Sequence, residues 1–300
     1  MVVLSLVAAM AVSFQGATAD ARGFVAGKYA LELDGVNAGW SPHVSGGYPA
    51  FDVVSGVGSD GALHKQIGKP KYEDFNVTVG TGMSKAFYSW MKDAYDHKYS
   101  RKNGAIVAAD FNYKEKSRRN FFDALITEIV MPHLDGASKD AAKMVVNFQP
   151  GSVQASPDPT VYNIPNLPAL NGWFQSDFLV TMPDFPNVVV EKVSRVKVKF
   201  FWDRDLQAST GENVDNVVLV VRANGVQALN AYLQNELKGA SKPTSLDIQY
   251  FSLDGTLDLN MAGVGVCSVT PEVGADLTDT KRFRVELYVE GISFKYTPAP

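Results

Sequence analysis

The sequence has one cysteine and four histidines, too few to support a disulfide framework or a multi-cysteine metal centre. Cys267 has no second cysteine to pair with, so we expect a small buried apolar residue there. His43, His64, His97 and His133 show none of the spacings that hold a metal ion, such as H-x-x-x-H. The sequence therefore predicts no metal site and no cofactor.

Catalytic motifs are missing as well. The chain has no G-x-S-x-G, and its lone cysteine lacks the local sequence of a thiol nucleophile. Gly80, Gly82 and Gly225 follow predicted strands and open predicted helices, as in phosphate loops. They lack the required number of glycines and the P-loop lysine, so they indicate turns. We expect a protein that is not an enzyme.

The sequence also lacks a strong excess of either charge sign and has few long apolar runs. The 300 residues include 28 Lys and Arg against 32 Asp and Glu, a net charge of −4, so no basic nucleic-acid-binding face is expected. A hydrophobic content of 46% suits a globular protein, and the chain is long enough for two cores of about 150 residues each. The 17 Phe and 12 Tyr occur largely in alternating runs, which favours a β-rich fold. The apolar run at residues 1–19 is too short and too broken for a membrane span, so none is expected.

Residues 1–26 are either a signal-like segment or an apolar N-terminal arm. Residues 1–19 are almost uncharged and end in Ala17-Thr18-Ala19, which is typical of cleavage before Asp20, but no basic residue precedes the apolar run. Export would remove this segment. The alternative is an arm that packs on a neighbouring subunit.

The stretch from His64 to Trp90 combines a strand, a glycine turn and a helix. Residues 75–79 alternate as in a half-buried strand, and Ser84 is placed to cap a helix over 83–97. We expect this helix to cover a sheet, with some of its side chains in the core and others at its rim. The apolar side chains at helical spacing are Phe87, Tyr88, Trp90 and Met91.

A long glycine-rich segment precedes that stretch. A structureless loop from Tyr48 to Lys69 would be unusual inside a compact domain, so an extended hairpin that reaches a neighbouring subunit explains the segment better.

The order of these motifs resembles the tail-tube proteins of contractile phages and related injection particles. The similarity lies in a strand that ends at Asp34-Gly35, an aromatic at Trp40, V-S-G at 44–46, G-K-P-K-Y at 68–72, and the following strand, turn and helix. The chain departs from the family at Thr81-Gly82, where an Arg-Gly step would be expected.

The resemblance implies a structural subunit that stacks as rings into a hollow tube, in a virion tail or an extracellular tail-like particle. DNA or effector cargo would pass through the tube without stable binding. The partners that the resemblance implies are the chain itself, a sheath protein and a baseplate. The residues expected in the inter-subunit loop are Tyr48, Phe51, Val53, Val54, His64, Lys65, Lys69 and Lys71.

The second half of the sequence repeats the first at an offset of roughly 140 residues. We therefore predict a mainly β protein with one helix per domain, built of two tandem tail-tube-like β-barrel or β-sandwich domains at 27–150 and 173–300. A Pro-rich linker is expected at 151–172. Residues 192–215 are interpreted as a polar loop, with a solvated charge cluster at Asp203-Arg204-Asp205.

The duplication leaves the assembly open. Three chains could fill six ring positions as a trimer with pseudo-sixfold symmetry, or six chains could form a ring that their second domains decorate. A baseplate hub or tube-initiator ring protein is one alternative to a tube subunit, and a secreted tube-forming filament protein is another.

Overall fold

The computed structural model describes residues 28–80, 82–156, 173–240, 242–252, 255–272 and 282–298, which form a mainly β protein with two helices. The first half contains β1 (Lys28–Leu33), β2 (Val36–Ser41), β3 (His43–Ser45), β4 (Pro49–Val57), β5 (Leu63–Tyr72), β6 (Phe75–Gly80), α1 (Lys85–Tyr95), β7 (Lys102–Ala109), β8 (Glu115–Val130), β9 (Leu134–Asp135), β10 (Lys143–Gln149) and β11 (Ser152–Ser156). The second half contains β12 (Phe178–Thr181), β13 (Val190–Val193), β14 (Lys197–Asp203), β15 (Ala208–Val214), β16 (Val217–Arg222), α2 (Val226–Glu236), β17 (Thr244–Ser252), β18 (Gly255–Pro271), β19 (Arg282–Tyr288) and β20 (Gly291–Pro298).

Local sequence explains the unit β6–α1. Phe75, Val77 and Val79 are buried and alternate with more exposed residues, so β6 presents one apolar face to the core. Ser84 caps α1, because its hydroxyl accepts a hydrogen bond of 3.3 Å from the Phe87 amide. The predicted cap is confirmed, and the helix is slightly shorter than expected.

Two large antiparallel sheets share one strand order. The first runs β2-β1-β7-β8-β10-β6-β3, and it curls until β2 contacts β6, which makes it a nearly closed barrel. The second runs β12-β17-β18-β19-β16-β13-β9. Without β2 and β9 the two orders match strand for strand, so the repeat seen in the sequence is also present in the topology. The domain boundaries stay a prediction.

The two halves also exchange strands. The hairpin β14–β15 of the second half pairs with β8 of the first, and β9 of the first half pairs with β13 of the second. Most buried apolar side chains of both halves form one continuous cluster. The halves therefore pack against each other and share a core.

The structure corrects three local expectations. Residues 192–215 form β13 and the hairpin β14–β15 instead of a loop. Arg204 is not merely solvated, since its guanidinium donates hydrogen bonds to the carbonyls of Asp123 and Gln149 at 3.2 and 2.8 Å. Cys267 is exposed instead of buried, because strand alternation turns the neighbouring Val266 into the core.

The predicted N-terminal arm or signal-like segment lies outside the described residues, as do 157–172 of the predicted linker. The start of that linker is a strand, since β11 pairs with β8 from Ser152↔Phe122 onward.

Candidate assembly surface

The segment after β3 folds as the predicted extended hairpin. We call β4 and β5, residues 49–72, the first hairpin; its strands pair from Pro49↔Tyr72 to Val57↔Leu63. The chain enters it through Gly46, whose φ is +81° and where an added Cβ would lie 1.9 Å from the Asp74 carbonyl oxygen. Only glycine fits that bend, so the bend fixes the direction in which the first hairpin leaves the sheet.

One face of the first hairpin is an exposed apolar stripe. Val53 lies opposite Ile67, and Val57 lies opposite Leu63. These side chains are 66%, 73%, 73% and 63% exposed, in that order. A row of aliphatic side chains this exposed is characteristic of a surface that another molecule covers.

Aromatic and basic groups surround this stripe. Phe51 and Tyr48 are also exposed, and the Arg119 guanidinium lies 5.1 Å from the centre of the Tyr48 ring. Lys65 and Lys69 are exposed and have no ion-pair partner among the described residues. The first hairpin therefore offers apolar surface together with unneutralised positive charge.

Other charged groups of the first hairpin are satisfied within it. His64 Nε2 lies 2.9 Å from an Asp60 carboxylate oxygen, and this hydrogen bond is the main cause of the lowered pKa of Asp60. Lys71 forms an ion pair with Asp52 on the opposite strand. Within the first hairpin, the lysines without an acidic partner among the described residues are Lys65 and Lys69.

The second hairpin, β14–β15, occupies the same place in the repeated order but packs one face against the first half. The first hairpin connects β3 to β6, and the second connects β13 to β16. Phe200 is 3% exposed and meets Tyr95 of α1 edge-on, with 5.2 Å between ring centres. The indole of Trp202 donates a hydrogen bond of 2.6 Å to the Ile126 carbonyl. Lys197 forms an ion pair of 3.1 Å with Glu128.

Helix α1 lies between the two halves. Phe87 and Met91 are 0% exposed, and Trp90 and Tyr88 are buried too, so all four side chains lie in the core and none lies at the rim. The Tyr88 ring stacks on Tyr296 of β20 at 4.2 Å, and burial raises the pKa of the Tyr88 hydroxyl. The role of these four residues in a tube stays a prediction.

The junction between the halves also buries a carboxylate. One oxygen of Glu212 accepts a hydrogen bond of 3.4 Å from the Ile292 amide, and the other lies 4.0 Å from His97 Nε2. That second oxygen has no hydrogen-bond partner among the described residues. Burial raises the pKa of Glu212, and His97 and the Ile292 amide oppose the shift.

We expect Glu212→Gln to stabilise the protein more at pH 8 than at pH 5. A carboxyl whose pKa is raised by folding contributes its full stability below its unfolded pKa and loses it as the pH rises through the folded pKa. Glutamine has no charge to desolvate and avoids that loss. Thermal unfolding at both pH values measures the difference, with Glu236→Gln on the exposed end of α2 as the control. An equal effect of Glu212→Gln at both pH values would contradict this assignment.

The described ranges lack the features of two other functional classes. Within them, no three His, Cys, Asp or Glu side chains are grouped so that they could hold a metal ion. No helix in the same ranges has the length and apolar character needed to cross a membrane.

Comparison with known proteins assigns the chain to no family. No protein-family model matches it, and no curated protein matches it. One solved structure that aligns with it is described as an extracellular contractile injection system, the PVC sheath/tube terminator in its extended state. The alignment covers 43% of this chain and 93% of that chain, with 17% identity and a TM-score of 0.35. A likeness at that level assigns neither a fold nor a function to this chain.

Proposed function

We propose that this chain is a structural subunit of a hollow tail tube, in a phage tail or a tail-like injection particle. It would polymerise as stacked rings that enclose a conduit for DNA or effector cargo. The observation that carries the proposal is the contrast between the hairpins. The second hairpin completes the sheet of the first half, whereas the first hairpin occupies the same place in the repeat and is uncovered.

A ring explains this contrast. A closed ring removes open strand edges, because each unit covers the edge of the next. One such junction lies inside this chain, between β14 and β8. The junction on the other side then has to come from another copy. The motif order that resembles tail-tube proteins supports the same assembly.

We further propose that three chains close one ring with pseudo-sixfold symmetry. Both halves have the same strand order and one helix each, so each can fill one position. The six-chain alternative, with the second halves decorating the outside, agrees less well with a second half that shares its core with the first.

A baseplate hub with two similar domains would have the same internal repeat. It differs in that it stops as one closed ring, whereas a tube subunit continues to stack. The exposed stripe at Val53, Val57, Leu63 and Ile67 favours the tube, because stacking requires further contacts once the ring has closed.

Electron microscopy of the purified protein tests the proposal. We expect rings or hollow tubes, with three chains in a single-layer ring by averaged projections. A protein that stays monomeric at high concentration, with no rings, would overturn the proposal. Six chains with an outer shell of density would overturn the trimer alone, and isolated rings that never stack would favour the hub.

A further inference from the structure

We infer that the first hairpin of one chain docks on the edge of β18 in a second copy of the chain, with Pro49 opposite Val269 and Ala50 opposite Ser268. This inference rests on the proposed function and specifies its contact between chains. It follows from the junction that the second hairpin makes inside the chain, where Val198 lies opposite Ile129 and Lys199 opposite Glu128.

Strand register sets the correspondence between the hairpins. Val44 of β3 pairs with Val77 of β6, and Val193 of β13 pairs with Leu219 of β16. Val77 and Leu219 are both the third residue of their strand. Val44 therefore corresponds to Val193.

The same spacing carries the correspondence into the hairpins. Along the sequence, Pro49 follows Val44 at the same spacing at which Val198 follows Val193. The residue before each, Tyr48 or Lys197, accepts a main-chain hydrogen bond from the residue that follows its hairpin, at 2.9 and 3.0 Å. The two hairpins thus leave their sheets in the same way.

The receiving edges correspond as well. Ile129 of β8 pairs with Val146 of β10, and Val269 of β18 pairs with Val285 of β19. Val146 pairs in turn with Val77, and Val285 pairs with Leu219, the third residues of β6 and β16. The edge that the second hairpin occupies on β8 therefore has its counterpart at Val269 and its neighbours.

That counterpart edge is open within the described part of the chain. From Gly265 to Pro271, β18 pairs with β19 on one side, and no described strand pairs with it on the other. Burial reflects the difference between the junctions. Ile129 is fully buried, whereas Val269 is only half-buried. Phe200 is 3% exposed, whereas the corresponding Phe51 is 55% exposed.

Two prolines make the inferred junction weaker than the one inside the chain. Inside the chain, the Met131 amide donates a hydrogen bond of 2.8 Å to the Val196 carbonyl. Pro271 corresponds to Met131 and has no amide hydrogen, so the inferred junction lacks this bond. Pro49, at the place of Val198, lacks one too. Such prolines also prevent indiscriminate pairing of open edges. The junction between chains should therefore open reversibly.

Disulfide trapping between two single-cysteine proteins tests this inference. Both carry Cys267→Ser; one also carries Ala50→Cys and the other Ser268→Cys. Directly opposite residues on neighbouring strands lie at a separation that a disulfide spans. We expect the mixture to give a covalent heterodimer on mild oxidation, with much less homodimer from either protein alone.

Two controls bracket the result. Lys199→Cys with Glu128→Cys in one chain should give an intrachain disulfide, because these residues are paired there. Ser293 is an exposed residue of β20 beside β18, so Ser293→Cys should not trap Ala50→Cys. If Ala50→Cys forms as much heterodimer with Ser293→Cys as with Ser268→Cys, the inferred pairing of Ala50 with Ser268 is overturned.

The outcomes separate this inference from the proposed function. Rings or tubes by microscopy without the 50–268 heterodimer would overturn the docking edge and leave the tube subunit standing. A heterodimer at 50–268 in a protein that forms rings supports both. A protein that forms neither rings nor the heterodimer overturns both.

Discussion

Replacing Phe51–Pro70 with an Asn-Gly turn should abolish rings and tubes while the folded chain keeps its melting temperature. Phe51 and Pro70 lie opposite each other, so a two-residue turn can join the strands that remain. The deleted side chains are absent from the core cluster and mostly exposed. In the proposed assembly, removing them deletes contacts with another copy and few contacts within the chain.

A truncation of the second hairpin is the matched control. Phe201 and Gly211 also lie opposite each other. Replacing residues 201–211 with the same turn removes Trp202 and Arg204. Both side chains bond to carbonyls of the first half, so this variant should lose thermal stability. Sedimentation and microscopy report assembly, and calorimetry reports folding. Long tubes from the variant that lacks the first hairpin would show that this hairpin makes no contact required for assembly.

Trp90→Ala should lower the free energy of unfolding by about 3–5 kcal/mol, as for other buried large-to-small substitutions. Trp90 is 2% exposed, and its ring centre lies 5.4 Å from that of Phe148. Its indole also donates a hydrogen bond of 3.1 Å to the Ser100 carbonyl. Alanine at this position leaves a cavity and an unpaired carbonyl.

Denaturant unfolding measures this effect, with two comparisons on the same helix. Trp90→Phe keeps most of the packing and loses the hydrogen bond, which should cost about 1 kcal/mol. Lys92→Ala alters an exposed residue whose ion pair with Asp96 is on the surface, so its effect should be small. A Trp90→Ala protein as stable as the parent would contradict the burial of this side chain.

Short-range patterns account for much of the fold. The Asp34-Gly35 turn, the alternation in β6 and the Ser84 cap each depend on a few neighbouring residues, and each was predicted. The alternation of Val198, Phe200 and Trp202 was equally available, yet the charges around it led to the interpretation of a loop. That interpretation was wrong because lysines on the outer face of a strand are compatible with a buried inner face.

Contacts between distant strands could not be derived from the sequence. The guanidinium of Arg118 on β8 donates hydrogen bonds to Glu32 of β1 at 3.0 Å and to Glu115 at 2.9 Å. Predicting this cluster requires knowing that β1 and β8 both flank β7. Trp173 is similar, since its stacking on Tyr88 of α1 depends on how the halves meet. The exposed residues of the first hairpin were predictable because composition alone indicated a segment with no core of its own.

The pairing of β14 with β8 also affects how the chain is synthesised. About 70 residues separate Val130 from Lys197, its partner across this pair. At about 5–20 residues per second, the ribosome needs roughly 3–14 s to deliver that partner. Throughout that interval the nascent first half has an open edge at Ile129, which is fully buried in the finished protein. Translation pauses within this interval should increase aggregation of the nascent chain, or its capture by chaperones, more than pauses after β14 and β15 have left the ribosome.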